Sequence, residues 1–254
     1  MSNSHHAFVA DQYGPRANAY VLSAVHAGGE DLDQLEAAVR GCTGARVLDL
    51  GCGGGHVGYR VAPHVGEVVA VDLSPEMLNE VTRTAAERGL RNLSVQQSPA
   101  ERLPFADGRF DIVLSRFSAH HWHDLDAGLR EARRVLAAGG RAIFIDVISP
   151  ARPLLDTHLQ VVETLRDPSH ARNYTAAEWV ASLSRAGFTV NAITPRRLRM
   201  DFATWTARTR TPDLHAQAIR SLQATVSEEV RHHFAIEADG SFLIDTLALD
   251  TSVP

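Results

Sequence analysis

A glycine cluster that interrupts an apolar run limits the folds open to this chain more than any other feature. Residues 46–50 (Arg-Val-Leu-Asp-Leu) form a mainly apolar run, and Gly51, Gly53 and Gly55 follow before a helical pattern begins. A strand, a tight turn and a helix in this order point backbone N–H groups at whatever lies over the loop. Because glycine tolerates positive φ and has no Cβ, the loop predicts a site for a nucleotide-like cofactor.

The segment 46–147 alternates short apolar runs with helical patterns, which predicts a parallel sheet connected by crossover helices. Five strands are predicted in this segment, at residues 46–50, 67–72, 93–97, 110–115 and 141–147. The helix before the last of them is expected at 125–136, and Gly139 and Gly140 then form a turn.

The regularity changes after residue 149. Helices are predicted at 153–166, 175–187 and 201–234, and two further strands at 188–193 and 241–249. With no repeat and no flexible linker, the chain is expected to form a single domain. Its parts would be an N-terminal helical cap (1–45), a cofactor-binding core (46–147), and last strands with helical insertions on the substrate side (148–254).

The composition argues against several classes of function. The formal net charge of -5 disfavours nucleic acid as a partner, since such proteins cluster positive charge. Two cysteines, Cys42 and Cys52, are too few for a four-thiolate zinc site or an iron–sulfur motif, and no metal is predicted. The absence of lysine excludes Schiff-base enzymes and P-loop nucleotide hydrolases. With no leader-like start and no run of about 18 apolar residues, we expect a cytoplasmic protein without a membrane span.

Two kinds of cofactor are compatible with the glycine loop. The spacing Gly53-x-Gly55-x-x-Gly58 satisfies the dinucleotide fingerprint, and Asp72 follows at about the 20-residue distance that a nicotinamide site requires. Asp49, however, lies at the end of the strand, two residues before the first glycine. A carboxylate there repels a pyrophosphate and attracts a cationic group, so the loop favours a positively charged ligand.

With this aspartate, the sequence resembles the class I S-adenosylmethionine-dependent methyltransferases. Five motifs in order carry the resemblance: Val-Leu-Asp-Leu-Gly-Cys-Gly-Gly-Gly at 47–55, Val-Asp-Leu-Ser at 71–74, and the motifs at 100–105, 110–115 and 135–140. The chain is similar to the small-molecule methyltransferases of ubiquinone and menaquinone biosynthesis. This resemblance implies an α/β fold with a doubly wound, seven-stranded, mostly parallel sheet, the Rossmann-like methyltransferase fold, and helical insertions that cover the site.

The resemblance also implies which residues would bind S-adenosylmethionine. Asp49 and the glycine loop would hold the methionine part, and Asp72 would accept hydrogen bonds from the ribose hydroxyls. Leu73 and Met77 would flank the adenine, and Ser115 would lie beside the sulfonium. The predicted cofactor-binding residues are Asp49, Gly51, Cys52, Gly53, Gly55, Asp72, Leu73, Met77, Ala100, Glu101, Ser115 and Tyr20.

Two of these residues carry a further expectation. Tyr20 belongs either to a lid over the cofactor or to the packing of an N-terminal helix. Glu101 and the Ala100 backbone would recognise the adenine edge, because Pro99 stands where family members often have an aspartate. Proline offers neither a side-chain acceptor nor an N–H, so the contribution of Glu101 becomes larger.

The acceptor side is less defined by the sequence. His120, His121 and His123 follow the fourth predicted strand, where a base could reach the methyl acceptor. By motif position His121 is the predicted catalytic base, and packing beside Trp122 or exposure to solvent is the alternative for all three histidines.

The tail contributes arginines and tryptophans whose roles the pattern leaves open. The arginines form either a solvated face or a contact for an anionic substrate; they are Arg196, Arg197, Arg199, Arg208 and Arg210. Trp179 and Trp205 lie at helical positions and are expected in the core.

The sequence therefore predicts a methyltransferase that uses S-adenosylmethionine to methylate a carbon, oxygen or nitrogen atom of a small molecule. One alternative is an S-adenosylmethionine-binding protein without methyl transfer, which Pro99 and the optional base favour. A nicotinamide-dependent oxidoreductase, suggested by the overlapping fingerprint, is the other.

Overall fold

A computed structural model describes residues 4–14 and 28–254, and within these residues seven strands form one sheet. The strands are β1 (Arg46–Leu50), β2 (Glu67–Asp72), β3 (Leu93–Gln97), β4 (Phe110–Arg116), β5 (Leu136–Val147), β6 (Thr189–Met200) and β7 (Phe242–Ser252). Their order across the sheet is β3-β2-β1-β4-β5-β7-β6. Strands β1 to β5 pair in parallel, and β7 runs antiparallel to both of its neighbours. The predicted mostly parallel, seven-stranded sheet is confirmed.

Helices connect and cover these strands. They are α1 (His5–Tyr13), α2 (Glu30–Val39), α3 (His56–Val61), α4 (Pro75–Glu87), α5 (Leu125–Val135), α6 (Pro153–Arg166), α7 (Ala176–Ala186), α8 (Phe202–Thr209), α9 (Asp213–Thr225) and α10 (Glu228–His233). Helix α7 begins with a capping box, with both hydrogen bonds formed between Thr175 and Glu178. In the described part of the chain, none of these helices combines the length and the apolar character that crossing a membrane requires.

Alternate strand residues build a core on each face of the sheet. In β2, Val69 and Val71 pack with α5 and α7, whereas Val68 packs on the opposite face with α2 and α3. This division follows from the two-residue period of a strand, and it makes the sheet doubly wound.

The remaining helices form a cluster of their own. Side chains from α6, α8, α9 and α10 pack around Trp205, Phe234 and Phe242, together with Val147 at the end of β5 and Met200 at the end of β6. These are the predicted helical insertions. They lie at the carboxyl end of β5, the edge of the sheet at which α/β proteins bind ligands.

Two strands differ most from the prediction, and β7 also extends three residues beyond its predicted end, to Ser252. Strand β6 continues to Met200 rather than ending at residue 193. As an edge strand it exposes alternate residues, so its sequence is largely polar, and it can accommodate Pro195. Both features hide the strand from a search for apolar runs. Strand β5 begins at Leu136, which pairs with Phe110, and the predicted turn at Gly139 is instead a register shift within the strand.

Candidate active site

The glycine loop leaves β1 at the point where the strand order reverses, between β1 and β4. The N–H groups of Gly51 and Cys52 both donate to the carbonyl of Val71, at 2.9 and 2.8 Å, which fixes the loop to the end of β2. Gly51 has φ 74°, and a Cβ there would lie 1.7 Å from Oγ of Ser118. A side chain at this position is therefore excluded by both conformation and space.

Asp49 is a buried carboxylate directly below this loop, with 1% of its surface exposed. Its Oδ2 accepts a hydrogen bond of 2.9 Å from the N–H of Gly58. Its Oδ1 is buried and has no hydrogen-bond partner among the described residues. Burial raises the pKa of Asp49 to about 7, although the Gly58 N–H lowers it. A cationic ligand group beside Oδ1 would stabilise the ionised form.

Asp72, at the end of β2, holds the loop from the other side. Its Oδ2 accepts from the N–H of Gly53 at 2.8 Å and its Oδ1 from the N–H of Ser74 at 3.0 Å. Burial raises the pKa of Asp72, and these backbone donors oppose that effect. Each carboxylate oxygen keeps a second acceptor site, so Asp72 can also accept from a ligand's hydroxyl groups.

Most of the predicted cofactor-binding residues line one cleft. Those that do are Asp49, Gly51, Cys52, Gly53, Asp72, Leu73, Met77, Ala100 and Glu101. We call this part of the cleft, together with Gly54, Ser98 and the inner face of α1, the loop half. Its position at the carboxyl ends of β1 and β2 is the one that the strand-to-helix pattern predicts.

Three of the predicted cofactor-binding residues are not among those that line the cleft. Ser115 is buried within β4, where it pairs with Phe144, and the residues that line the cleft come after it, from Arg116 to Ser118. Gly55 does not line the cleft either; it is the N-cap of α3, and a Cβ there would lie 2.7 Å from the Tyr59 ring. Tyr20 lies outside the described residues.

Helix α1, within the predicted N-terminal helical cap, covers the loop half, although the sequence predicts no cofactor-binding residue in it. His6, Val9 and Tyr13 line the cleft, and Nε2 of His6 lies 3.2 Å from Oε2 of Glu101. Glu101 also accepts from the N–H of His123 at 2.7 Å, so its carboxylate connects α1 to the segment after β4.

His121, the predicted base, has both ring nitrogens engaged. Its Nδ1 lies 3.1 Å from the carbonyl of Ser169, which can only accept, so this nitrogen carries a proton. Its Nε2 lies 2.8 Å from the hydroxyl oxygen of Tyr13, which donates its one proton to Asp167 at 2.5 Å. Burial lowers the pKa of His121 to about 4. The side chain is held by Tyr13 and Ser169 and does not present a free nitrogen to the cleft.

His120 has the arrangement of a general base. Its Nδ1 lies 2.6 Å from Oδ1 of Asp146, a buried carboxylate on β5. Asp146 also accepts from the N–H groups of Val147 and His120, so its orientation is fixed. Burial lowers the pKa of His120, but the charge and hydrogen bond of Asp146 outweigh that effect and the pKa is raised. Because Nδ1 donates to Asp146, Nε2 is the basic nitrogen.

The rest of the cleft is built by the helical insertions and the last two strands, and we call it the helical half. Its apolar lining consists of Val147, Leu198, Met200, Trp205 and Ile244, and its polar lining consists of Glu163, Arg166, Asn173 and Arg208. Trp205 is 2% exposed, as expected for a core residue, yet its remaining surface borders the cleft.

The tail arginines are divided between two environments. Arg197 and Arg199 of the edge strand β6 form surface ion pairs with Asp245 and Glu237. Arg208, on α8, lines the helical half instead. Within residues 4–14 and 28–254, no three histidine, cysteine, aspartate or glutamate side chains are grouped so that they could hold a metal ion.

Comparison with known proteins gives matches over most of the chain. Residues 48–144 match the family described as "Methyltransferase domain". The chain is 47% identical over 192 residues to the uncharacterized protein YafE of Escherichia coli (strain K12), covering 76% of this chain and 93% of that protein. It is 36% identical over 225 residues to the uncharacterized methyltransferase YcgJ of Bacillus subtilis (strain 168), covering 88% of each.

Solved structures and further relatives agree with these matches. The crystal structure of YcgJ superposes with a TM-score of 0.85 at 32% identity, covering 88% of this chain and 98% of that chain. A shorter match, at 34% identity, relates 44% of this chain to 49% of the ubiquinone/menaquinone biosynthesis C-methyltransferase UbiE of Geotalea uraniireducens (strain Rf4).

Proposed function

This chain belongs to the methyltransferase family, and from that premise we propose that it binds S-adenosylmethionine in the loop half of the cleft and methylates a small molecule in the helical half. The family resemblance predicted from the motifs at 47–55 and 71–74 is confirmed by the matches to the methyltransferase domain and to YcgJ. We infer a small-molecule acceptor because a relative is named as a C-methyltransferase of ubiquinone and menaquinone biosynthesis, and these quinones are small molecules.

One observation carries the proposal. A single cleft contains both a buried carboxylate oxygen without a partner among the described residues, Oδ1 of Asp49, and a histidine paired with a buried carboxylate, His120 with Asp146. An unpaired buried acceptor costs about 1–3 kcal/mol, so Asp49 is poised for a ligand that donates to it.

The donors and acceptors of the loop half fit the proposed cofactor. Asp49 would hold the cationic methionine part, which a pyrophosphate cofactor could not supply. Asp72 would accept from the ribose hydroxyls, and the apolar side chains of Leu73 and Met77 would contact the adenine. Ser115 is buried behind the wall, so in this proposal Ser118 replaces it as the residue that follows β4 and lines the cleft.

The bound cofactor supplies an electrophilic methyl group, and the chain's own residues act on the acceptor. Enclosure by α1 and the helical insertions excludes water and aligns the acceptor, an effect worth up to about 7–11 kcal/mol in well-oriented reactions. Nε2 of His120 would take the proton that an acceptor oxygen, nitrogen or carbon loses. We assign this role to His120 rather than His121, because Tyr13 already contacts Nε2 of His121.

Calorimetric titration with S-adenosylhomocysteine, followed by incubation with methyl-labelled S-adenosylmethionine and a fractionated metabolite extract, tests the proposal. We expect one binding site per chain and transfer of label to at least one fraction. No binding would overturn the cofactor assignment, and binding without any transfer would favour an S-adenosylmethionine-binding protein. A parallel titration with NAD, which we expect to show no binding, tests the oxidoreductase alternative.

A further inference from the structure

The two halves of the cleft differ in charge. The loop half is lined by the carboxylates of Asp49, Asp72 and Glu101. The helical half is lined by two arginines, Arg166 and Arg208, and by a single carboxylate, Glu163. If the proposed function holds, the acidic half faces the cationic cofactor, and the basic half faces the acceptor.

Arg166 is fixed in the wall of the helical half by contacts with Trp205 and Glu163. It lies at the end of α6, is 7% exposed, and its Nε donates to the carbonyl of Trp205 at 3.2 Å. The guanidinium lies over the Trp205 ring, 5.1 Å from its centre. Oε2 of Glu163 lies 3.6 Å from Nη1, and with Arg208 in the same wall the described lining of the helical half has two guanidinium groups and one carboxylate.

Asn173 supplies a second, independent observation. Its backbone is fixed by Gln160, whose Oε1 accepts from the Asn173 N–H at 3.1 Å and whose Nε2 donates to its carbonyl at 2.7 Å. The side chain is 1% exposed and lines the cleft, yet its Nδ2 has no hydrogen-bond partner among the described residues. A buried donor of this kind is costly unless a ligand accepts from it.

We propose that the helical half selects acceptors that carry a carboxylate, with Arg166, Arg208 and Asn173 as the residues that recognise it. This inference rests on the proposed function and names the substrate class for the same cleft. Arginine pairs with carboxylates through two parallel hydrogen bonds, and the Asn173 amide adds a neutral donor. The apolar lining of Leu198, Met200 and Ile244 would accommodate the hydrocarbon part of such a molecule.

Matched pairs of carboxylates and carboxamides test the proposal without an identified substrate. The probes are phenylacetate, cinnamate and hexanoate with the corresponding amides, titrated into the protein after it has been saturated with S-adenosylhomocysteine. Each pair has nearly the same shape and differs in charge. We expect the carboxylate of at least one pair to bind about tenfold more tightly than its amide, as loss of a charged hydrogen bond implies.

Variants distinguish recognition of the carboxylate by these side chains from a general effect of the protein's charge. Arg208→Gln and Asn173→Ala should each reduce the preference for the carboxylate to about threefold or less while leaving S-adenosylhomocysteine affinity unchanged. Arg130→Gln, which removes the same charge from an exposed position of α5, should leave the preference intact. If Arg208→Gln does not fold, Arg208→Lys keeps the charge and should keep part of the preference.

The outcomes are distinguishable from those of the proposed function. Failure to bind S-adenosylhomocysteine appears in the first titration and concerns the cofactor alone. Equal affinity within all pairs, tighter binding of the amides, or no binding of any carboxylate to the saturated protein would overturn the proposal. A preference that Arg130→Gln abolishes as strongly as Arg208→Gln would also contradict it.

Discussion

The loop half and the helical half of the cleft are built in different ways. Backbone groups and carboxylates from β1, β2 and the turns that follow them form most of the loop half, with residues 49–57 and 71–77 supplying much of its wall. The helical half collects single side chains from β5, α6, the loop before α7, α8, β6 and β7, which lie up to about a hundred residues apart in the chain, from Val147 to Ile244. A ligand of the first half is therefore specified by short motifs, and a ligand of the second by tertiary packing.

In the proposed function, this difference lets the cofactor site and the acceptor site change independently. The glycine loop depends on close backbone approach, since Gly51 has no room for a side chain beside Ser118. In the helical half, a change at Leu198 or Arg208 alters the lining without disturbing the loop. We therefore expect substitutions in the two halves to affect different measured quantities.

The largest effect is expected at His120. The His120→Gln variant should lower kcat by about 10²–10⁴-fold, because it removes a positioned general base while preserving the size of the side chain. Its affinity for S-adenosylhomocysteine should stay within about twofold, since a base on the acceptor does not hold the cofactor. Turnover is measured as the rate of S-adenosylhomocysteine release when the protein is given S-adenosylmethionine and the extract fraction that contains the acceptor.

His121→Gln is the matched control for that prediction, since both histidines lie in the same segment and have partly buried side chains. We expect its kcat to fall much less, because Tyr13 contacts Nε2 of His121. A larger loss in His121→Gln than in His120→Gln would return the catalytic role to His121, as the sequence motif predicts.

The next effect is expected at Asp72, in the loop half. Asp72→Ala should weaken the binding of S-adenosylhomocysteine by roughly 1–3 kcal/mol, the cost of losing hydrogen bonds to a charged acceptor. Asp72→Asn keeps one acceptor oxygen and should lose less. Calorimetry measures both variants, with the melting temperature as the control for folding. Normal affinity in Asp72→Ala would mean that the carboxylate only fixes Gly53 and Ser74.

Cofactor affinity should also depend on pH through Asp49. Its pKa is raised to about 7, so the ionised form that attracts a cationic group becomes populated only as the pH rises through that value. We expect S-adenosylhomocysteine to bind about tenfold more weakly at pH 6 than at pH 8, as a single titration of this kind implies. Calorimetry across this range measures it, and Asp49→Asn should flatten the profile. The same slope in Asp49→Asn would assign the titration to another group.

The smallest effect concerns the fold outside both halves. Thr175→Ala removes the side-chain cap of α7, which follows directly after the segment that carries Asn173. It should lower the free energy of unfolding by about 1 kcal/mol, measured by denaturant titration. Binding of S-adenosylhomocysteine should not change. A loss of affinity in this variant would show that the two halves are coupled through the loop before α7.

The accuracy of the strand bounds predicted from the sequence differs between buried strands and the edge strand β6. The bounds of β1 and β2 are those predicted, because buried parallel strands have short apolar runs with clear ends. The edge strand β6 is seven residues longer at its end than predicted, Met200 against residue 193, since one exposed face weakens the apolar pattern. Local signals thus define the buried strands β1 and β2 better than the antiparallel edge strand β6.

Site residues follow the same rule. Asp49 and Asp72 are predicted because each ends a strand within a recognisable motif. Two other contacts join residues from separate elements: His120 with Asp146, and Tyr13 with His121. Such contacts depend on tertiary packing, so the spacing of the residues in the sequence does not predict them. The choice between two adjacent histidines therefore requires the three-dimensional arrangement.

The central claim is that one cleft contains a cofactor half and an acceptor half with separable roles. Calorimetric titration of S-adenosylhomocysteine into the wild-type protein, Asp72→Ala and His120→Gln tests it most directly. We predict one site per wild-type chain, an affinity about 1–3 kcal/mol weaker in Asp72→Ala, and an unchanged affinity in His120→Gln. No binding to the wild-type protein, or equal losses in the two variants, would contradict the claim.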